Sequence, residues 1–527
     1  MRCECKLLQA KDGNKVPVMQ RGNETYTLGS LYDGNYAAER WMLGHMQENL
    51  ENVILFGLGD CQIVLKVLER VPGRVLVYEP DEKIYGEIKR LSIFKKIQKN
   101  HRFSCFYGQN QREVLQGKMI DVLNDDCVDR TALLTIPGYV NYYMDAYIEL
   151  ADMCQRICDA IQFTQGAIQR SFPTMLKNQL RNIPYLKDAI PLTRLAEKWD
   201  TEIPVILVAA GPSLLKNIEQ LKKIDKRAFV FCVDTALSTL LRNGIVPDLV
   251  GSIDAVKNMD CFSEPGSYNI PYFVTCNSRY ELVSKLTKER IWGKDHGCIR
   301  MILEKYGIQS PKNAAQFGVA GEMFAMLMEL GVKKIIMIGQ DLAYSAEKET
   351  HIDGRNEGFN ETEAILVEGY NGDKVYSRMD WNKFRVWFEE AIERLPFGCE
   401  VINATEGGAK IHGAFQLPLH QVVEQLPERK AAISDYLSVE GIRITEHEYE
   451  QIRLDWANVR SDLENIKQWG YHKTFFESDY RSIPAMDMVL GAMRYLKDVS
   501  NREERFERAV NFVYDHVIEW EKEEKGK

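Results

Sequence analysis

Nowhere in its 527 residues does this chain carry an apolar stretch as long as a bilayer span, and its opening, MRCECKLLQAKDGNK, has no apolar core of a secretory leader. Basic charge is not in excess either. Lys and Arg number 67 against 76 Asp and Glu, giving −9, which argues against a general nucleic-acid binder. Twelve cysteines are scattered, and no CxxC pairs with a second CxxC or with clustered histidines, so a zinc site is not expected. Cys154 and Cys158 have helical i, i+4 spacing inside ADMCQRICDAIQF and read as helix packing. Solenoid-type repeats and low-complexity segments are missing too. These absences leave a reduced, cytoplasmic, soluble protein with no membrane span, and 45% hydrophobic and 27% charged residues are ordinary for one.

The remaining pattern is α/β. Residues 1–135 read as a Rossmann-like domain, with strands in ENVILFGLGD, GRVLVYEPDEK and HRFSCFYG. Residues 136–199 are a helical connector. Residues 200–416 alternate strand and helix, which predicts a mainly parallel sheet covered on both faces, with strands at 205–209, 229–233, 249–253, 272–275 and 334–338. Residues 417–527 are charged and helix-periodic, predicting a helical C-terminal domain.

The stretch PVILVAAGPSLLKN (204–217) carries the main functional signal. A buried strand runs into Ala210, Gly211, Pro212 and Ser213, and a helix follows, as in loops that hold phosphate. No Gly-Lys-Ser/Thr follows, so it is not a Walker loop. In open parallel sheets, ligands sit outside the carboxyl ends of the strands. At that edge the other strands end at Asp234, Asp254, Asn277 and the run Gly339, Gln340, Asp341. Asp and Asn also favour strand exits and helix caps, so each alone is weak and their agreement is the signal. The set suits a nucleotide or nucleotide-sugar, with Asp234 and Asp254 toward ribose or base. His351, in the loop that follows Asp341, has the unperturbed pKa of a general base. In the first domain, Gly57 and Gly59 follow a strand and Glu79 ends the next, but Gln62 replaces the third glycine of a dinucleotide fingerprint.

AAGPSL, FVFCVDTALSTLLRNGIVPDLVGSIDA and GQDLAYSAEKETHIDG together resemble the motility-associated factor proteins, which share a domain with archaeal-type 6-hydroxymethylpterin diphosphokinases. EGYNGDKVYSRMDWNKFRVWFEEAI and INATEGGAKIHG extend the resemblance, which covers at least 204–413. The core is also similar to one group of bacterial sialyltransferases. Gly211, Pro212 and Ser213 match their nucleotide loop, and Phe317, Gly318 and Val319 match a later Ser-Gly-Val. Asp234 and Asp254 stand where those enzymes carry Asn; a carboxylate cannot donate the hydrogen bonds an amide could.

The resemblance implies transfer of a nonulosonic acid, of pseudaminic, legionaminic or sialic type, from its CMP-activated donor to Ser or Thr of flagellin. CMP leaves, its phosphate held at 211–213, and His351 is the base; nearness in sequence, apart from the resemblance, places Tyr344 to support the leaving phosphate. No cofactor is required, although Asp234, Asp254 and Asp341 with phosphate oxygens would suit Mg²⁺. Two rival readings stand beside it: an ATP-dependent 6-hydroxymethylpterin diphosphokinase, and a non-catalytic flagellin-binding protein.

Overall fold

The computed structural model describes the chain except residues 1–3, 22–23, 48–49, 109–111, 124–127, 225–226, 296, 314, 316–317, 353–358, 429–430, 477–481 and 526–527. The sequence position Phe317 and the end of the GQDLAYSAEKETHIDG segment therefore lie outside the described residues. The fold is α/β with parallel sheets, as the alternation of strand and helix predicts. It divides into two compact units, Met1–Ala167 and Ile168–Lys527.

In the first unit, β1 (Glu4–Gln9), β2 (Lys15–Arg21) and β3 (Glu24–Thr27) form an antiparallel meander. The sequence reading contains no such sheet. A second sheet, all parallel, takes β4 (Asn52–Phe56), β5 (Val75–Glu79), β6 (Phe103–Tyr107) and β7 (Thr131–Thr135) in the order β6-β5-β4-β7. Strands β4 and β5 are buried along their whole length, which explains their unbroken apolar runs.

The second unit is built on a nine-stranded, wholly parallel sheet. Its strands in chain order are β8 (Ile190–Pro191), β9 (Val205–Val208), β10 (Phe229–Val233), β11 (Leu249–Gly251), β12 (Tyr272–Val274), β13 (Arg290–Trp292) and β14 (Lys334–Ile338). A separate antiparallel hairpin, β15 (Ile365–Glu368) with β16 (Lys374–Ser377), follows, and then β17 (Glu400–Asn403) and β18 (Phe415–Gln416) complete the sheet. The order is β18-β17-β14-β9-β10-β11-β12-β13-β8. From β9 the chain runs outward through β13, then returns to place β14 on the other side of β9. The strand order therefore reverses between β9 and β14.

All five strands expected in this region are present within two residues of their predicted ends. Helix Gly318–Glu329 lies close on the sheet: a Cβ on Gly251 would come 2.3 Å from Met323 Sδ. The helices Glu446–Phe476, Pro484–Tyr495 and Arg502–Lys525 bury Trp456, Leu463, Val489 and Val513 in the same apolar core as the sheet. Helix Met144–Asn182 supplies residues to both units and carries Cys154 and Cys158 as free thiols. Among the described residues no helix is long and apolar enough to cross a membrane.

Candidate functional site

The topological switch point between β9 and β14 is where a parallel sheet opens a crevice at its carboxyl edge. Residues 210–213 leave β9 there and residues 339–341 leave β14. The two exits are stitched together: the Ala209 amide donates to Ile338 O (2.9 Å) and the Gly211 amide to Gly339 O (2.8 Å). Glycine is required at both turns. A Cβ on Gly211 would sit 1.9 Å from Asp341 Oδ2, and Gly339, at φ +66°, would place one 2.3 Å from Ala209 O.

Ser213 and Asp341 meet across this seam. The Ser213 hydroxyl donates to Asp341 Oδ2 at 2.7 Å and its amide reaches the same oxygen at 3.3 Å. Burial pushes the Asp341 carboxyl up to about 6, against the opposing pull of the Ser213 donors and the Lys216 ammonium. The amides expected to cradle an anion are thus engaged within the protein. Gly211 and Ser213 are spent as described, Pro212 has none, and those of Leu214, Leu215 and Lys216 turn back to Gly211, Pro212 and Ser213 carbonyls.

A third segment, residues 405–409 after β17, closes on the same place, although sequence reasoning named no site residue there. Gly408, at φ +70°, packs against the Asp341 backbone, where a Cβ would lie 2.2 Å from Asp341 O. Gly407 faces Ser213, and the Ala409 amide donates to Asp341 O at 2.7 Å. The paired glycines just past a strand were the available signal. Glu406 is held left-handed (φ +57°), its carboxylate accepting from Asn217 Nδ2 and the Leu419 amide. Of five described non-glycine residues at positive φ, three (Leu342, Lys348 and Glu406) flank this edge, as strain at functional sites tends to.

His351 is brought to the seam by its neighbour: the Ile352 amide donates to Ala210 O at 2.9 Å. Its Nδ1 lies 2.9 Å from the hydroxyl of buried Thr350. Tyr344 is buried, ringed by Phe359 and Trp381, and tied to the hairpin through its amide and Tyr376 O. It walls a pocket of about 480 Å³ with Asn360, Glu363, Arg378 and Asp380, in which Arg378 pairs with Asp380 and stacks on Trp381.

The exits on the other side of β9 are less uniform. Asp234 is fully buried, its oxygens taken by Lys257 (2.5 Å), Ser252 (2.7 Å) and Thr235 (3.1 Å), an arrangement that braces β10 against β11. Asp254 is exposed and caps the Val256 amide. Asn277 accepts from Gln179 and, through its carbonyl, from Asn178 on the end of helix Met144–Asn182. Gly318 starts its helix at φ +64° with open space around it. Among the described residues no three His, Cys, Asp or Glu side chains group as metal ligands would, so Asp234, Asp254 and Asp341 do not form one such set.

In the first unit the corresponding edge is filled. Tyr139 lies against Gly57, whose added Cβ would fall 2.6 Å from the ring. The Tyr139 hydroxyl donates to Glu79 (2.6 Å) and receives the Gly59 amide (3.1 Å), while the Leu58 and Asp81 amides also end on Glu79. Burial pushes Glu79 up to about 7. The glycines here make room for a tyrosine of the same chain.

Comparison with known proteins gives three findings. Residues 177–347 match the family described as 6-hydroxymethylpterin diphosphokinase MptE-like. A 110-residue segment, 21% of this chain, is 31% identical to an uncharacterized protein of Treponema pallidum (strain Nichols), and the chain spans about half (49%) of that relative's length. The fold is similar to the solved structure of MAf glycosyltransferase from Magnetospirillum magneticum AMB-1, with a TM-score of 0.58 and 15% identity over 99% of this chain and 87% of that one. The resemblance read in the motifs is thus met in two ways: as a shared fold over nearly the whole chain, and as a sequence family over its central part.

Proposed function

We propose that this protein is a glycosyltransferase that moves a nonulosonic acid from a CMP-activated donor to a Ser or Thr hydroxyl of flagellin. The observation that carries the reading is the meeting of three loops, 210–213, 339–341 and 405–409, at the switch point of the large sheet, with His351 delivered beside them. The shared fold with a MAf glycosyltransferase supports the reaction class.

In this reading the acceptor oxygen attacks the anomeric carbon and the bond from that carbon to the phosphate oxygen breaks. CMP departs with the electron pair. The acceptor proton passes to His351, whose Nδ1 lies beside the Thr350 hydroxyl; base assistance of this kind contributes about 10²–10⁴-fold. Tyr344 and the pocket beside it border the path of the leaving group and sugar. Asp341 acts on the loop geometry through the Ser213 hydroxyl and amide it accepts from. Asp234, with both oxygens engaged inside the sheet, serves the same supporting purpose in place of ribose recognition.

The test is the intact mass of flagellin co-expressed with this chain and a CMP-nonulosonic acid pathway. A mass increase of one sugar residue per modified site is expected, and an unchanged mass sinks the reading. The MptE-like match over 177–347 favours one second reading, diphosphate transfer from ATP to a pterin. Unmodified flagellin together with ATP-dependent turnover of 6-hydroxymethylpterin would establish it; unmodified flagellin bound tightly would point to a non-catalytic partner.

A further inference from the structure

A phosphate at the switch point needs a positive partner, and the backbone of residues 211–216 offers none, because each of its amides is already bonded or absent. We infer that the Lys216 ammonium is the group that binds the donor phosphate; this deepens the nucleotide-donor reading above and rests on it.

Lys216 stands in the first turn of helix Leu214–Leu221, at its positive end, where a cation is electrostatically disfavoured and where no acidic residue of the first turn offsets it. The side chain is exposed, and among the described residues no carboxylate lies within ion-pair distance of it. Its hydrogen bond goes instead to a neutral acceptor, Glu406 O, at 2.8 Å. Glu406 is itself fixed by its left-handed turn and by its side-chain carboxylate, which accepts from Asn217 Nδ2 and the Leu419 amide. The anchor fixes the ammonium over Gly407, where an added Cβ would come 3.4 Å from Nζ and 3.3 Å from Ser213 Cβ. Glycine keeps that space clear of side chain. An ammonium has three donors, so two remain for phosphate oxygens. The lysine's contacts within the protein are one bond to a carbonyl and a longer-range pull on Asp341, whose Oδ1 borders the same space at 3.7 Å from that Cβ. An anion docked between Ser213 and Gly407 would therefore take its place beside a neutral, protonated Asp341 and gain the ammonium's charge.

Calorimetric titration of the full-length protein with CMP and with cytidine tests the assignment. Wild-type protein is expected to favour CMP by about ten- to hundredfold, the worth of a hydrogen bond to a charged group. Lys216→Gln should erase that preference while leaving cytidine affinity and melting temperature unchanged, and Lys216→Arg should keep most of it. The preference should also shrink as salt rises. If Lys216→Gln still prefers CMP as wild type does, or if wild type binds CMP no better than cytidine, the assignment is overturned. The same titrations with ATP and adenosine separate it from the donor reading. A Lys216-dependent phosphate preference confined to the adenine pair would overturn the CMP donor and keep the lysine.

Discussion

Two parallel sheets in this molecule have the same switch-point design and opposite outcomes. In the first unit the edge between β4 and β7 is closed by Tyr139 and Glu79, whose polar atoms consume the glycine-loop amides. In the second unit the edge between β9 and β14 also consumes its loop amides, yet an exposed lysine and a histidine loop adjoin it, and Tyr344, three residues beyond Asp341, walls a pocket of about 480 Å³. Glycine turns after a strand therefore report close approach of something to the backbone, and that something can be the chain's own tyrosine as easily as a ligand. What separates a site from a packed edge is the chemistry left unspent nearby.

The comparison can be broken first at His351. Replacing it with Ala should lower transfer by about 10²–10⁴-fold while CMP binding persists, read by flagellin mass over time and by titration. Full activity in this variant would remove the base and much of the contrast between the two edges.

Asp234→Ala comes next. It leaves Lys257, which is 14% exposed, without its carboxylate, and a loss of about 3–5 kcal/mol is expected from stranding a buried charge. Denaturant unfolding measures it, and an unchanged midpoint with weakened CMP binding would return Asp234 to the ligand.

Tyr139→Phe should cost the first unit about 1–3 kcal/mol, because Glu79 and the Gly59 amide lose a buried partner. Transfer should be unaffected. New affinity for a nicotinamide or adenosyl cofactor in Tyr139→Ala, which removes the ring that lies against Gly57, would show that the tyrosine is a plug over a working site.

A pH effect sharpens the same point. The folded Glu79 holds its proton to about 7, above its ordinary 4.5, so the unfolded chain releases the proton first as pH rises. The stability contribution is complete below about 4.5 and declines toward 7. Hydrogen exchange of peptides covering β4 and β7, corrected for intrinsic rates, should show protection falling across that window, with Glu79→Gln flattening the slope.

The smallest effect belongs to Asp254→Asn. Its carboxylate caps one exposed amide, so stability should change within about 0.5 kcal/mol. A several-fold rise in KM for the donor without loss of kcat would make it a recognition residue, and unchanged kinetics a turn residue.

Much of the second unit was legible in the sequence because its central strands are buried on both faces and read as unbroken apolar runs. The short edge strands, β8 with two residues and β18 with two, carry no periodicity to detect. The β1–β3 meander, with strands of six, seven and four residues, stayed hidden because it is half-exposed and mixed in composition. Among site residues, Gly211, Gly339 and Asp341 were found by their place at strand ends. Lys216 was passed over because a lysine in a helix is unremarked until its surroundings are known. Glu406, Gly407 and Gly408 were passed over because β17 lies far along the chain from β9.

The sequence by itself determined where strands end and which of those ends carry small or acidic residues, since strand length and turn chemistry are local. Only the tertiary structure decided what each polar atom is spent on. Ser213 and Asp341 are 128 positions apart and share two hydrogen bonds, and Asp234 and Tyr139 are likewise committed to distant partners. Burial and hydrogen bonding depend on neighbours in space, which no local pattern records, and they alone distinguish the edge that is filled from the one that keeps an exposed lysine beside its loop.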